Sequence, residues 1–331
     1  MAAKPAMGRT RLPSHVEWPT VALLLAVYGA FALVTWHYAQ LPLWLVLPCA
    51  AFLVCLHGSL QHEVVHGHPT PWNWVNEALV LPCLWLWMPF RTYRRLHLVH
   101  HSDENLTDPE KDPESYYLTP EAWRACGRVA RAYLWCLNTV AGRLLLGPLH
   151  ATWQLYRAEL PRLLRGEGQA FREWLPHLLG TGLVLAWAVG ICGIPMLDYL
   201  LFFAYPGTAL TLLRSYLEHR AVPVAAERSV IIEAGPVMSL LFLNNNLHAL
   251  HHAEPGLAWY RLPARFRERR AALLAGNGSY HFRGYWEVVA RYLLWPKEAP
   301  VHMAGQSSRP SGETARVTPT FLPVAETEGR A

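Results

Sequence analysis

Four long apolar segments divide the chain, and they occur as two pairs. The first pair spans residues 18–38 and 43–60, and the second spans 175–194 and 196–217. An α-helix needs about 20 residues to cross the hydrocarbon core of a bilayer. Because only a short turn separates the members of each pair, the pattern predicts two helical hairpins that together form four transmembrane helices.

Two shorter apolar stretches, 78–90 and 230–243, favour a different structure. The first contains Pro82 and Pro89, and the second is interrupted by Gly235-Pro236. Stretches of this length are typical of re-entrant or interfacial segments. A full crossing by the first stretch would place the polar segments before and after it on opposite faces of the membrane. We therefore predict that both stretches stay at the interface.

The polar stretch between the hairpins, residues 121–172, is rich in arginine. Arg124, Arg128 and Arg131 recur at helical spacing among apolar residues such as Trp135. This pattern predicts amphipathic helices that lie on the membrane surface. An amphipathic helix that packs on the protein's own core would show the same pattern.

The composition is that of a membrane protein and not of a soluble enzyme. Hydrophobic residues make up 52% of the chain and charged residues only 16%, whereas soluble domains contain about 25% charged residues. The formal net charge is +5, and the arginines flank apolar segments, which suits an anionic membrane surface and argues against nucleic acid. The six cysteines include no C-x-x-C pair, so we expect neither a disulfide framework nor an iron–sulfur site.

The distribution of positive charge predicts the orientation of the hairpins. The two connecting turns lack Lys and Arg, whereas the N-terminus and residues 91–95, 124–172 and 261–270 contain most of these residues. By the positive-inside rule, both termini face the cytoplasm in a multi-pass protein of a bacterial inner membrane.

The same features divide the chain into three parts. Residues 1–17 form a cytoplasmic N-terminal segment, and residues 18–298 form the membrane domain. Residues 299–331 are rich in Pro, Ser, Gly and Thr, which predicts a disordered C-terminal tail. No cleavable signal peptide is evident, since the first apolar segment is too long for one.

Three clusters of histidines follow or precede the apolar segments. Two share the spacing H-x-x-H-H and the third is a pair at i and i+4, so on a helix each cluster presents its imidazoles on one face. Imidazole suits iron, copper, zinc and nickel, and eight histidines exceed the four ligands of a structural zinc site, which predicts two metal ions. The eight predicted ligands are His62, His66, His97, His100, His101, His248, His251 and His252.

A ninth histidine, His219, lies at the predicted cytoplasmic end of the fourth apolar segment. We predict that it is a further metal ligand, because two ions that share eight nitrogens still have unfilled coordination positions. The alternative is an interfacial histidine that contacts lipid headgroups or Glu218. His68 lies two residues after His66 and points elsewhere on a helix, which favours a role beside the ligands or the substrate. Glu63 is expected to orient an imidazole through its second ring nitrogen.

The motifs resemble the three histidine boxes of the integral-membrane fatty acid desaturases. They read HEVVH at 62–66, HLVHH at 97–101 followed by DPE at 112–114, and HALHH at 248–252 followed by WYRLP at 259–263. The resemblance extends from about residue 45 to about residue 265. Two departures are Glu63, where many relatives have Asp, and the additional His68.

This resemblance implies an all-α integral membrane protein. Four transmembrane helices and interfacial amphipathic helices would support a cytoplasmic cap with a histidine-rich site for two non-haem iron ions, with O2 as co-substrate. The reaction would remove two hydrogens from an acyl chain of a fatty acid or lipid. The family takes a further histidine from the helix before the third box, often with a polar side chain one turn earlier, which matches His219 and Ser215. The residues expected to support the ligands are Glu63, His68, Asp112, Ser215 and Asn244.

The implied partners are an acyl lipid substrate, membrane lipids and a separate electron carrier of ferredoxin, rubredoxin or cytochrome type, attracted to the Arg-rich surface. Two other functions remain open. Hydroxylases and ketolases that act on alkanes, lipids or carotenoids share the box pattern, because the outcome depends on small differences in substrate placement. A non-enzymatic membrane metal-binding protein would need polar residues within the spans, where few occur.

Overall fold

The computed structural model of the protein describes residues 12–101 and 103–302. Its first hairpin consists of α1 (Trp18–Trp36) and α2 (Leu43–Val65), joined by a 3-10 turn at Tyr38–Gln40. α1 contains no charged side chain, and Pro19 lies in its first turn, where a backbone N–H has no partner within the helix. The apolar pattern alone therefore specifies this helix.

The second hairpin begins with α8 (Gly168–Leu185), which continues through a π-helical turn at Ala186–Ile191. Beyond a connecting turn, α9 (Met196–Tyr199), a π-helical turn at Leu200–Ala204 and α10 (Tyr205–Glu218) form one continuous helical segment. The prediction of four membrane-spanning helices is confirmed. The helices long and apolar enough to cross a membrane are Trp18–Trp36, Leu43–Val65, Gly168–Ile191 and Met196–Glu218.

The apolar stretch at 78–90 is not a membrane span, as predicted. It contains the end of α3 (Asn73–Leu79) and a series of turns in which Leu86 has a φ of 65°. α4 (Phe90–His100) follows directly, with Pro89 as its N-cap. Since α4 packs against α2, it brings the second histidine cluster to the end of the bundle where α2 presents the first.

Three further helices lie between α4 and the second hairpin: α5 (Pro120–Ala125), α6 (Arg128–Leu137) and α7 (Val140–Leu164). Thr119 and Thr139 cap α5 and α7, because each hydroxyl accepts from the backbone N–H three residues later. α7 has a buried face and an exposed apolar face, which fits the amphipathic pattern; its location on the membrane surface stays a prediction. The exposed apolar side chains are Leu145, Leu149, Trp153, Leu160 and Leu164.

A buried ionic cluster joins α4, α7 and α8. Arg95 Nη2 lies 2.9 Å from Glu159 Oε1, and Arg95 Nε lies 3.0 Å from Glu173 Oε1. This cluster explains why the third span begins at Gly168 and not at residue 175. The first turns of this span contain Glu173, which pairs with Arg95 of α4. An apolar pattern does not reveal stabilisation of this kind.

The spans pack into one bundle in which α2 contacts α1, α4 and α10. α10 approaches α2 closely at Gly207, where an added Cβ would lie 2.4 Å from the Cβ of Val54. Small residues permit such close packing of membrane helices. At the opposite end from the histidines, the Tyr38 hydroxyl donates to Asp198 Oδ2 (2.8 Å), so the two hairpin turns lie together.

The chain beyond α10 covers the histidine end of the bundle. It contains α11 (Pro236–Leu241), α12 (His248–Ala253), α13 (Leu262–Gly276) and α14 (Tyr285–Tyr292). A short parallel sheet that the sequence did not predict pairs β1 (Ile231–Ile232) with β2 (His281–Phe282). The sheet joins the segments before and after the third histidine cluster.

After α14 the chain returns along the cap. The N–H of Leu118 donates to the carbonyl of Pro300 (2.9 Å), and the N–H of His302 donates to the carbonyl of Leu118 (2.9 Å). The predicted C-terminal tail thus begins with residues that are hydrogen-bonded to the rest of the protein. Residues 303–331 of that tail, and residues 1–11 of the N-terminal segment, lie outside the described residues.

Candidate metal centre

The nine predicted ligand histidines lie at or near the ends of four helices. His62 is in the last turn of α2, His66 is its C-cap, and His219 is the C-cap of α10. The second cluster ends α4, and the third lies within α12. Because these helix ends meet at one side of the bundle, residues far apart in sequence come together.

Five of the histidines form what we call the first histidine group. One nitrogen of each lies within 4.8 Å of one nitrogen of every other. The Nε2 atoms of His66 and His97 are 3.2 Å apart, those of His97 and His101 are 3.0 Å apart, and those of His101 and His251 are 3.1 Å apart. The members are His62, His66, His97, His101 and His251.

The other four form the second histidine group, which consists of His100, His219, His248 and His252. The Nε2 atoms of His100 and His219 are 3.0 Å apart, as are those of His219 and His248. The Nε2 atoms of His248 and His252 are 3.1 Å apart. His219 therefore lies among the box histidines and not among lipid headgroups.

The two groups are neighbours, and both H-x-x-H-H motifs contribute to each. The rings of His101 and His252 are stacked with their centroids 4.3 Å apart. In the motif of α4, the first and last histidines (i and i+4) belong to the first group and the middle one, His100 (i+3), belongs to the second. In the motif of α12, the first and last histidines belong to the second group and the middle one, His251, belongs to the first. The reversal places two compact sets of nitrogens side by side.

Hydrogen bonds at Nδ1 leave the Nε2 lone pairs of several rings directed into the groups. His97 Nδ1 lies 2.8 Å from Glu114 Oε1, and His100 Nδ1 lies 2.9 Å from Asp112 Oδ1. His248 Nδ1 lies 3.0 Å from the amide oxygen of Asn245. Since these acceptors require a proton on Nδ1, Nε2 is the nitrogen that carries the lone pair whenever each of these rings is neutral.

This arrangement fits metal ions. Burial and the neighbouring charges lower the pKa of His66 to about 3, and burial likewise lowers the pKa of His97 and His251. Two neutral rings whose Nε2 lone pairs face each other cannot form a hydrogen bond, so hydrogen bonding does not explain the short Nε2–Nε2 distances. A metal ion does: two nitrogens that bind one ion at right angles, each about 2.1 Å from it, lie about 3.0 Å apart. His62 Nε2 is also buried and has no hydrogen-bond partner among the described residues.

His100 differs from the other rings in its electrostatics. Burial lowers its pKa, but the charges of Asp112 and Glu114 outweigh burial and raise the pKa to about 9. The two carboxylates therefore stabilise positive charge at this ring. A cation bound to Nε2 supplies the same charge, which is why an anionic partner strengthens an imidazole ligand.

Of the five residues expected to support the ligands, Asp112 is the one hydrogen-bonded to a histidine of the two groups in the contacts described. Ser215 does not contact His219: its hydroxyl donates to the carbonyl of Leu212 (3.2 Å), within its own helix. Ser229 takes that place, with its Oγ 3.3 Å from His219 Nδ1. The helix ends at His219, so the ring turns away from the residue one turn earlier.

The described hydrogen bond of the Asn244 side chain is to the backbone and not to a histidine ring. Its Nδ2 donates to the carbonyl of Trp259 (3.0 Å), while the adjacent Asn245 contacts the imidazole of His248. Asn244 has a φ of 59°, so the chain turns between these residues and directs their side chains differently. The spacing of three residues between Asn245 and His248 is the signal that identifies the correct asparagine.

Glu63 and His68 lie in a separate buried cluster with Glu17. Glu63 Oε1 accepts from the backbone N–H of Trp259 (2.9 Å), and His68 Nδ1 lies 2.7 Å from Glu17 Oε2. Neither is hydrogen-bonded to a ligand imidazole in the contacts described. Glu63 instead connects α2 to the segment that follows the third histidine cluster.

Glu114, Ser229 and Asn245 contact rings of the two histidine groups but were not among the predicted supporters. Glu114 belongs to the same DPE motif as Asp112, so the motif contained a usable signal. Ser229 pairs with His219 through an antiparallel bridge that no local pattern reveals.

A comparison with known protein families agrees with this geometry. The sequence profile of the fatty acid desaturase family matches residues 39–284, a range that includes all nine histidines. A comparison with curated proteins found no match. The chain therefore belongs to the fatty acid desaturase family, a family of membrane oxidoreductases with lipid substrates.

Proposed function

We propose that the protein is an O2-dependent, di-iron desaturase that forms a double bond in an acyl chain of a fatty acid or lipid. The main support is the pair of adjacent histidine groups at one end of a four-span bundle, in a chain of the desaturase family. A metal-binding protein without catalytic activity would not need two such groups in contact with each other.

In this proposal each histidine group binds one non-haem iron ion, so all nine histidines are ligands. Imidazole nitrogen suits several transition metals, and membership of the family favours iron among them. Bound iron would activate O2 for the removal of hydrogen from an unactivated methylene, a chemistry that no amino-acid side chain supplies.

The protein's own residues hold the rings and exclude water. Asp112, Glu114 and Asn245 fix ring orientation through Nδ1. Seven of the nine side chains are buried, the exceptions being His101 and His252. In the proposed reaction the acyl chain loses two hydrogens, and these, with O2, two electrons and two protons, yield two water molecules.

The two electrons come from a separate ferredoxin, rubredoxin or cytochrome that approaches the cytoplasmic face of a bacterial inner membrane. The support for this part is the arginine content of α13, a helix that packs against α12 and its histidines. An acidic carrier would be attracted to that surface.

The test is to express the full-length protein and profile total lipids by mass spectrometry under 18O2, with empty vector and a His97→Ala variant as controls. We expect about two irons per chain by the ligand count, and products two hydrogens lighter than the substrate without 18O. Products with one 18O atom would assign the protein to the hydroxylases or ketolases. Zinc as the only bound metal, or bound iron with unchanged lipids, would contradict the proposal.

A further inference from the structure

The segment after α14, residues 297–302, crosses the cap beside the second histidine group; we call it the C-terminal strap. It lies beyond the range that matches the family, which ends at residue 284. Its backbone is fixed at both ends: the N–H of Lys297 donates to the carbonyl of Asn138 (2.8 Å), and the N–H of His302 donates to the carbonyl of Leu118 (2.9 Å). The strap therefore has a defined path over the site.

The side chain of Lys297 is buried and reaches the end of α10. Its Nζ donates to the carbonyl of His219 (2.5 Å) and to the carbonyl of Tyr216 (3.0 Å), and only 3% of the side chain is exposed. The last carbonyls of a helix lack intrahelical partners and form the negative end of its dipole. The ammonium group satisfies both carbonyls, and so it fixes the backbone from which the His219 ring projects.

The neighbouring Glu298 balances this buried charge. Its Oε1 lies 2.7 Å from Lys297 Nζ and accepts from the hydroxyl of Tyr117 (2.5 Å). Its Oε2 accepts from the backbone N–H of Ala221 (3.3 Å), two residues after His219. A buried cation needs such a partner, and here the partner holds the same segment of backbone.

The other end of the strap reaches His100. His302 is buried, and its Nε2 lies 3.0 Å from the hydroxyl of Thr107. The backbone N–H of Thr107 donates to Asp112 Oδ2 (2.8 Å), and Asp112 Oδ1 lies 2.9 Å from His100 Nδ1. A continuous series of hydrogen bonds thus joins His302 to a second ring of the same histidine group.

We infer that the C-terminal strap is a positioning element for the second histidine group, in which Lys297 holds His219 and His302 holds His100 through Thr107 and Asp112. The inference rests on the proposed role of that group as the ligands of one ion. The nearest rings that the strap contacts reach, His219 and His100, belong to the second group. Asp112 also accepts from the backbone N–H of Glu114 (2.9 Å), which contacts the first group at one further step. Removing either contact should therefore weaken the ion of the second group more than the ion of the first.

The test uses full-length protein loaded with 57Fe, with iron content, chelator competition and Mössbauer spectroscopy as readouts. Lys297→Met keeps the chain length but removes the charge and the donors. Loss of an indirect support of a metal ligand weakens binding by about 10- to 100-fold, so we expect iron to fall from about two to about one per chain by the ligand count, with one Mössbauer subsite lost. The control is Lys111→Met, the same change at an exposed lysine, which should keep both subsites.

A second variant keeps the inference testable if Lys297→Met does not fold. His302→Phe retains ring volume and removes Nε2, and it should weaken the same subsite as Lys297→Met while the first subsite changes less. Both variants retaining two irons at wild-type affinity, or losing the two subsites equally, would overturn the inference. The proposed function fails separately, if the wild-type protein itself does not hold two irons.

Discussion

At the scale of single residues, the functional information lies in the partners of the second ring nitrogen. Asp112 accepts from His100 and also holds the backbone of Thr107. Asp112→Asn keeps the shape but replaces an anionic acceptor with a neutral one. We expect about a 10- to 100-fold weaker metal affinity, measured by competition with a chelator.

The matched control for that change is Asp108→Asn in the same loop. Asp108 Oδ1 accepts from the backbone N–H groups of Glu110 and Lys111, and an amide oxygen can accept both bonds. Equal metal affinity in the Asp112 and Asp108 variants would show that the charge of Asp112 is unimportant to the site.

His219 provides a second test at this scale. His219→Ala removes one of four nitrogens in the second group, so it should lower iron content and abolish product formation. His150→Ala is the control, because His150 lies beside Tyr133 on the protein surface and away from both groups. Full iron content and normal turnover in the His219 variant would remove it from the ligand set.

The sequence predicts which histidines cluster but not how they divide between two groups. Helical spacing places i, i+3 and i+4 on one face, whereas the structure separates His100 from His97 and His101. That division depends on how α4 and α12 are oriented, which is set by long-range packing. For the same reason Ser229 became identifiable only in three dimensions.

At the scale of helices, the hydrophobic pattern was sufficient to find the spans because lipid selects for apolar surface along a whole helix. The pattern did not predict the start of the third span, which the ion pair of Glu173 stabilises, or the two strands of two residues each. A strand that short has no periodicity to detect.

The contact between α2 and α10 gives a prediction at this scale. Gly207→Ala places a Cβ 2.4 Å from the Cβ of Val54, which is closer than atoms can approach, so the helices must separate. Overpacking of this kind should lower the free energy of unfolding by about 1–3 kcal/mol. Thermal unfolding in detergent measures this change. Gly182→Ala is the control because an added Cβ there meets nothing within 4 Å, and it should be neutral or stabilising by up to about 1 kcal/mol. Equal melting temperatures would contradict the packing argument.

At the scale of the whole molecule, the two hairpin turns lie at the opposite end from all nine histidines. α2 and the last span are each 23 residues long, which corresponds to about 34 Å of helix and is enough to separate the two ends across a bilayer. The positive charge near the histidine end predicts that this end faces the cytoplasm, so reporter tags inserted at Gln40 and at Gly193 should both be located outside it. A tag fused at the N-terminus should be cytoplasmic, and a cytoplasmic tag in either turn would contradict this orientation.

If the two histidine groups bind iron as proposed, the convergence of distant segments would also link iron supply to the amount of protein in a cell. His101 and His251 are 150 residues apart in sequence, yet they meet in one group. An ion shared by such segments acts as a cross-link that the unfolded chain cannot form, so its binding free energy adds to the free energy of folding. Chains made during iron starvation would lack that contribution and be open to proteolysis. The cell would then adjust abundance, and not only turnover, to the metal available to it.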